Sequence, residues 1–113
     1  MIADDSSSIR LVLEDILSIG EHEVVYQAEN GVEAVEKYFS LKPDILLMDL
    51  TMPKKDGLTA LKEIKKIDPD AKIIMLSAAD SMKLIDDCLE AGAVTFISKP
   101  FDFNMVLKAI REI

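Results

Sequence analysis

Five short apolar runs alternate along the chain with longer segments in which apolar residues recur every three or four positions. A short apolar run bounded by polar residues is typical of a strand buried on both faces, whereas the longer spacing is typical of a helix with one buried side. The runs predict strands at residues 1–3, 23–28, 45–48, 72–76 and 94–98.

The segments between and after these runs predict five helices, each with its apolar residues on one side. The first has Ile9, Val12, Leu13, Ile16 and Leu17, the second Val32, Val35 and Phe39, the third Leu58, Leu61, Ile64 and Ile67, the fourth Leu84, Ile85, Cys88 and Leu89, and the fifth Phe103, Val106, Leu107 and Ile110. Gly20, Pro69 and Gly92 are placed to end the first, third and fourth helices.

The alternation of strand and helix, repeated five times, indicates an α/β fold with a parallel sheet and helices on both of its faces. Right-handed crossovers leave few topologies, and the flavodoxin-like order 2-1-3-4-5 is one of the two common choices for a doubly wound sheet. No linker or low-complexity segment interrupts the pattern. Residues 1–113 are therefore predicted to form one domain, with a first strand that is unusually short.

The composition narrows the partners and the compartment. Half of the 113 residues are hydrophobic and the net charge is −8, so the surface of this globular domain repels nucleic acid and anionic lipid and favours basic partners. No apolar run approaches the roughly 20 residues of a membrane helix. The single cysteine, Cys88, excludes an internal disulfide and is predicted to pack in the core. We expect a cytoplasmic protein that binds neither nucleic acid nor membrane.

The carboxyl ends of four predicted strands carry acidic, basic or hydroxyl side chains. Asp4 and Asp5 follow the first strand, Asp49 the third, Ser77 the fourth and Lys99 the fifth. Ligands of an open parallel sheet bind at this edge, and strands 1 and 3 are neighbours in the predicted order, so the three carboxylates should converge. Three acids in one cleft repel each other unless a cation joins them, and carboxylate oxygens suit Mg²⁺.

Each of these residues also has an ordinary structural explanation. An aspartate or serine after a strand is often the N-cap of the next helix, Asp49 alone fits a turn, and Lys99 alone fits a solvated surface. The coincidence of four strand ends favours a shared site with Mg²⁺ as its cation.

Four segments carry a resemblance to a known family: ADDSSSIR (3–10), DILLMDLTMPKKDG (44–57), IIMLSA (73–78) and AGAVTFISKPF (91–101). In this order, and over the whole chain, they resemble the receiver domain of two-component response regulators, especially the stand-alone CheY-like type that acts in chemotaxis. The resemblance implies the order 2-1-3-4-5 and one receiver domain over residues 1–113. It also implies a signalling switch that catalyses only its own phosphorylation and dephosphorylation, rather than an enzyme with a separate substrate.

The resemblance assigns a role to the residues at the strand ends. Asp49 would accept a phosphoryl group from a phosphohistidine on a sensor histidine kinase. Mg²⁺ would be bound directly by Asp5, Asp49 and the backbone carbonyl of Thr51, with Asp4 acting through water. Lys99 would pair with Asp49 and then with the phosphoryl oxygens.

The resemblance also implies a switch and a lifetime for the phosphorylated form. Ser77 would move to hydrogen-bond a phosphoryl oxygen, Phe96 would turn inward, and the Lys99–Pro100 peptide would be cis. Positions 51 and 79 tune self-dephosphorylation in the family, and neither Thr51 nor Ala79 supplies an acid or a carboxamide that orients water. We therefore expect moderate to slow loss of the phosphoryl group.

The output surface implied by the resemblance is the face of helix 4, strand 5 and helix 5. Helix 4 places Asp86, Asp87 and Glu90 on or beside its exposed side. These acids suit a motility switch or adaptor protein with a basic docking surface, although a plain solvated helix face explains them equally well. We expect the chain to be a monomer.

Three other interpretations stay open on the sequence. The chain could be the receiver of a longer regulator with a DNA-binding output domain. A flavodoxin would bind the FMN phosphate at the serines after strand 1, although Asp4 and Asp5 would repel it and the chain has no tryptophan to stack on the flavin. A phosphatase of the haloacid dehalogenase type also uses an aspartate after a strand, but Thr51 stands where that family usually has a second one.

Overall fold

The computed structural model describes residues 1–78 and 81–113, and its strands form one parallel sheet. The strands are β1 (Ile2–Ala3), β2 (Gln27–Ala28), β3 (Leu46–Asp49), β4 (Ile73–Ser77) and β5 (Thr95–Ser98), and the helices are α1 (Ser7–Ile19), α2 (Gly31–Leu41), α3 (Gly57–Ile67), α4 (Met82–Glu90) and α5 (Phe103–Arg111). The order is β2-β1-β3-β4-β5. The predicted flavodoxin-like α/β fold is confirmed.

Alternate residues of the central strands face opposite sides of the sheet, and helices cover both sides. On one side Met48 and Met75 pack with α2, α3 and α4, and on the other Leu47, Ile74 and Leu76 pack with α1 and α5. All five side chains are buried. Burial on both sides explains why β3 and β4 read as continuous apolar runs rather than as alternating ones.

β2 is much shorter than the strand predicted at residues 23–28, and that part of the prediction is wrong. It pairs with β1 over two residues only. A strand needs a neighbour for its hydrogen bonds, and residues 23–26 have only the bond from the Ile2 N–H to the Tyr26 carbonyl toward β1. This segment therefore leaves the sheet, and Val25 is exposed.

The helices also bury a narrower side than the apolar spacing predicts. Exposed among the predicted apolar positions are Val12, Val32, Ile67, Leu89 and Phe103. α2 instead buries Ala34 and Tyr38, and the Tyr38 hydroxyl donates to Asp68 Oδ2 at 2.7 Å. Only the centre of the apolar side of each helix contacts the sheet. Apolar residues at the margins of that side therefore remain exposed to solvent. None of the described helices has the length and hydrophobicity that crossing a membrane requires.

Each described helix begins after a polar residue whose side-chain oxygen accepts a backbone N–H of the first turn. These caps are Ser6, Asn30, Asp56, Ser81 and Asp102. The N-cap of α1 is Ser6. Helix capping therefore does not explain the positions of Asp4 and Asp5.

Candidate functional site

The register of the sheet brings three carboxylates to one edge. Ala3 of β1 lies opposite Met48 of β3, so the next residues along the chain, Asp4 and Asp49, lie side by side. Carboxylate oxygens of Asp4, Asp5 and Asp49 all lie within 4.8 Å of one another. Asp4 and Asp49 are buried and Asp5 is exposed. The predicted convergence is confirmed.

This cluster has the size and the chemistry of a divalent-cation site. Two oxygens bound to one Mg²⁺ at about 2.1 Å each lie at most about 4.2 Å apart, so carboxylates within 4.8 Å of one another are close enough to share one ion, directly or through a water molecule. The donor set consists of oxygens, which Mg²⁺ prefers to nitrogen or sulfur. Exposure of Asp5 leaves room for the water ligands that Mg²⁺ usually keeps.

Lys99 neutralises part of the charge on the two buried acids. It follows β5, and its Nζ lies 3.0 Å from Asp4 Oδ2 and 3.2 Å from Asp49 Oδ1. The pair with Asp49 confirms the sequence prediction, whereas the pair with Asp4 is one that the sequence does not indicate. The Lys99–Pro100 peptide is cis, as the resemblance implies. The backbone N–H of Lys99 donates a hydrogen bond to the backbone carbonyl of Ser77, with an N-to-O distance of 2.8 Å. This bond joins the ends of β4 and β5.

The surroundings stabilise the cation of Lys99 more than the anion of Asp49. Burial raises the pKa of Asp49, the charge of Asp4 raises it further, and Lys99 offsets these effects only in part. Burial lowers the pKa of Lys99, but hydrogen bonds and charges from Asp4 and Asp49 outweigh it, so that this pKa is raised. A second cation beside Asp49 would therefore stabilise its ionised form.

Asp4 is held by its neighbours as well as by Lys99. Its Oδ1 accepts the Ser6 N–H at 2.9 Å, and its own N–H donates to the Ala28 carbonyl at 3.0 Å. Its carbonyl accepts a hydrogen bond from Arg10 Nη1 at 2.6 Å. Sequence reasoning assigns no role to Arg10. The available signal is its position, because a cation in the first turns of a helix opposes the helix dipole and needs another reason to be there.

The loop after β3 folds back against the end of the strand. The Gly57 N–H donates to the Leu50 carbonyl at 2.7 Å, and a Cβ on Gly57 would collide with the carbonyl oxygen of Asp49. Only glycine allows α3 to begin this close to the strand. Thr51, two residues after Asp49, is exposed.

The two predicted switch residues lie on neighbouring strands. Ser77 is buried at the end of β4, in register with Ser98 of β5. Phe96 is half-buried, lies opposite Met75 and packs against the side of the core that α2, α3 and α4 cover. Their positions agree with the prediction, and their movement stays a prediction. Ala79 lies outside the described residues.

The three acids predicted on helix 4 lie at the surface. Asp86 and Glu90 are exposed, and Asp87 is partly covered by an ion pair with Lys83 at 3.3 Å. A groove of about 530 Å³ lies between β5 and α5, and Phe96 forms part of its wall.

Comparison with known proteins agrees with this geometry. The model of the response regulator receiver domain matches residues 1–111. The chain is 50% identical over 112 residues to the chemotaxis protein CheY of Bacillus subtilis, covering 99% of this chain and 93% of that protein. It is 47% identical over 113 residues to CheY of Thermotoga maritima, covering 100% and 94%.

A solved structure has a similar fold over nearly the full length of this chain. The crystal structure of the CheX–CheY–BeF3–Mg²⁺ complex from Borrelia burgdorferi matches with a TM-score of 0.95 and 41% identity, covering 98% of this chain and 84% of that one. These matches replace the flavodoxin and phosphatase interpretations. The chain belongs to the response regulator receiver domain family, as a CheY-like member.

Proposed function

We propose that Asp49 accepts a phosphoryl group from the phosphohistidine of a sensor histidine kinase, and that the modified chain signals to the motility apparatus in chemotaxis. The observation that carries this is the cluster of Asp4, Asp5 and Asp49 within 4.8 Å, with Lys99 bonded to two of its members. Phosphoryl transfer depends mainly on positioning and on neutralising charge, and this pocket combines a carboxylate nucleophile with a fixed cation.

Asp5, Asp49 and the backbone carbonyl of Thr51 are the proposed direct ligands of Mg²⁺. Asp5 forms no hydrogen bond or ion pair within the described part of the chain, so both of its oxygens are available. Asp4 already uses Oδ1 for a backbone N–H and Oδ2 for Lys99, which supports a contribution through water. When bound, the ion supplies positive charge to the oxygens of the transferred group. The magnesium in the Borrelia burgdorferi complex supports the same ion here.

The proposed reaction is a displacement at phosphorus. A carboxylate oxygen of Asp49 forms a bond to phosphorus while the bond from phosphorus to the kinase imidazole nitrogen breaks, and its electron pair leaves with the imidazole. The product is an aspartyl phosphate. Lys99, which lies 3.2 Å from Asp49 Oδ1, transfers its hydrogen bond to a phosphoryl oxygen. Ser77 moves to donate its hydroxyl to another of these oxygens.

Phosphorylation is proposed to favour a form of the chain that binds its output partner. Ser77 and Phe96 link the site to the face of α4, β5 and α5, and they shift an existing equilibrium rather than build a new surface. The partner is a motility switch or adaptor protein whose basic docking surface meets Asp86, Asp87 and Glu90. The complex of CheX with CheY from Borrelia burgdorferi supports a protein as the partner.

Phosphorylation by acetyl phosphate, followed by intact mass, tests the acceptor. The wild type should gain one phosphoryl group when Mg²⁺ is present, and Asp49→Asn should gain none. Asp44→Asn is a matched control, because Asp44 is an exposed acid near the opposite end of β3, and it should behave as the wild type. Labelling of Asp49→Asn at the wild-type rate, or full labelling of the wild type in excess chelator, would refute the assignment.

A further inference from the structure

Arg10 reaches from α1 to the backbone of the acidic cluster. Its Nη1 lies 2.6 Å from the carbonyl oxygen of Asp4, and its side chain is only 12% exposed. Its Nη2 lies 3.5 Å from Glu29 Oε1, whose side chain is 68% exposed. An ion pair that is long and exposed on one side contributes little. The short bond to the Asp4 carbonyl is therefore the contact that fixes the guanidinium.

The Asp4 carbonyl belongs to the peptide group that joins Asp4 to Asp5. Holding its oxygen fixes the plane of that peptide and with it the direction in which the Asp5 side chain leaves the backbone. The bond from the Ser6 N–H to Asp4 Oδ1 holds the same turn from the other side. Asp5 is exposed, and its carboxylate has no hydrogen bond or ion pair in the part of the chain that the structure describes. Its position therefore depends on the backbone.

We propose that Arg10 is a positioning residue that holds the Asp4–Asp5 peptide so that the Asp5 carboxylate faces the cation. This inference rests on the proposed function, because it takes the cluster of Asp4, Asp5 and Asp49 to be the cation site. Groups that orient a ligand without touching the metal typically change metal affinity by about 10–100-fold when they are removed. Arg10 acts on Asp5 in this way through one peptide group.

The charge of Arg10 has the opposite effect on a cation. A guanidinium near the cluster repels a divalent ion, so loss of the charge alone would tighten binding. Loss of the positioning hydrogen bond would weaken binding. The sign of the change therefore separates a residue that orients Asp5 from one that only adds charge.

The affinity for Mn²⁺, measured from the electron paramagnetic resonance signal of the free ion, provides the test without any phosphorylation step. Arg10→Met should bind Mn²⁺ about tenfold more weakly than the wild type. Arg10→Lys keeps the charge and should recover part of the loss if its ammonium reaches the carbonyl. Glu29→Gln is the matched control, because it removes the exposed partner of Arg10 and leaves the bond to Asp4, and its affinity should stay within about twofold.

A double-mutant cycle shows whether Arg10 acts through Asp5. Asp5→Asn removes the ligand, so adding Arg10→Met to it should produce little further loss. A full additional tenfold loss would overturn the inference, as would Arg10→Met and Arg10→Lys both binding Mn²⁺ as tightly as the wild type or more tightly. If Arg10→Met does not fold, Arg10→Gln, which also removes the charge and is too short to reach the Asp4 carbonyl as the guanidinium does, and its combination with Asp5→Asn give the same comparison. A wild type that binds no Mn²⁺ would overturn the proposed cation site itself, which is a different result from a change confined to Arg10.

Discussion

The burial of Asp49 affects the stability of the fold as well as the proposed reaction. Its side chain is buried beside another carboxylate, and Lys99 compensates only part of the resulting cost. Because burial and Asp4 raise its pKa in the folded state, the folded chain holds this proton more tightly than the unfolded chain does. The stability that this proton contributes is fully present below about pH 4, the ordinary pKa of an aspartate, and is lost as the pH rises through the raised value.

Asp49→Asn should therefore stabilise the protein at neutral pH in the absence of divalent cations. We expect the free energy of unfolding at pH 7 in chelator to rise by about 1 kcal/mol, the scale of a typical single substitution. The difference in the free energy of unfolding between the two proteins should shrink as the pH falls toward about 4, where the Asp49 carboxyl of the wild type is neutral, as the asparagine side chain is at every pH. Urea denaturation at several pH values measures both effects. Parallel stability curves for the two proteins between pH 4 and pH 7 would contradict this account.

The residues of the site divide into those that the sequence reveals and those that it hides. Asp4, Asp5, Asp49 and Lys99 were predictable because a parallel sheet gathers the ends of its strands, so position along the chain determines position in space. The bond from Arg10 to the Asp4 carbonyl was not, because a long flexible side chain has many possible destinations within a few ångströms. The spacing of residues in the sequence predicts the approximate position of the Arg10 Cα, but it does not predict which group the guanidinium binds.

At the scale of elements, predictability follows burial. β3 and β4 lie within one residue of their predicted bounds because both of their faces are covered, which gives a continuous apolar run. The predicted length of β2 is wrong because the run at residues 23–28 is longer than the two residues that pair with β1. The sequence of a segment indicates a preference for extended structure. How many of its residues join a sheet depends on the neighbouring strand with which they can pair.

The junction between β3 and α3 leads to a prediction about Gly57. Gly57→Ala places a methyl group against the Asp49 carbonyl and the backbone of Leu50, which cannot move as a side-chain end can. We expect a loss of about 1–3 kcal/mol in the free energy of unfolding, the usual cost of overpacking. The rate of phosphorylation by acetyl phosphate should fall as well, because the strain acts on Asp49, the proposed nucleophile.

Gly20→Ala is the matched control for this prediction. Its added methyl group meets the end of the Leu107 side chain, which can rotate away, and Gly20 has a negative φ of −80° that alanine adopts easily. Urea denaturation should show a smaller loss for Gly20→Ala, with the phosphorylation rate unchanged. Equal losses in the two variants would show that the backbone contact of Gly57 is not what limits this position.

At the scale of the whole molecule, the net charge of −8 attracts any partner with a basic surface, and the placement of the acids decides where this attraction is strongest. Changing Asp86, Asp87 and Glu90 to lysine moves the net charge from −8 to −2, because each change replaces −1 by +1. We expect binding of the phosphorylated chain to the proposed motility switch or adaptor protein to be lost while the proposed phosphorylation of Asp49 continues. In the wild type, affinity should fall as salt rises, since exposed charges are screened beyond about 8 Å at physiological ionic strength.

A control with the same change in net charge separates the local effect from the general one. Suitable exposed acids elsewhere in the chain are Glu36, Asp44 and Asp70. Changing all three to lysine should weaken binding only slightly, because they lie away from the proposed docking surface. The affinity of both triple variants for the same partner can be measured by titration calorimetry. Equal weakening in both triple variants would reduce α4 to an ordinary solvated helix surface.

The bond between Lys99 and Asp4 joins residues that are 95 positions apart in the chain. During synthesis at about 5–20 residues per second, the first aspartate of the cluster is made roughly 5–19 seconds before its lysine exists. A ribosome-bound fragment therefore carries the acids without the cation that neutralises them. We therefore expect a protein truncated before residue 99 to lack the ion pairs that hold Asp4 and Asp49, and to gain no phosphoryl group from acetyl phosphate.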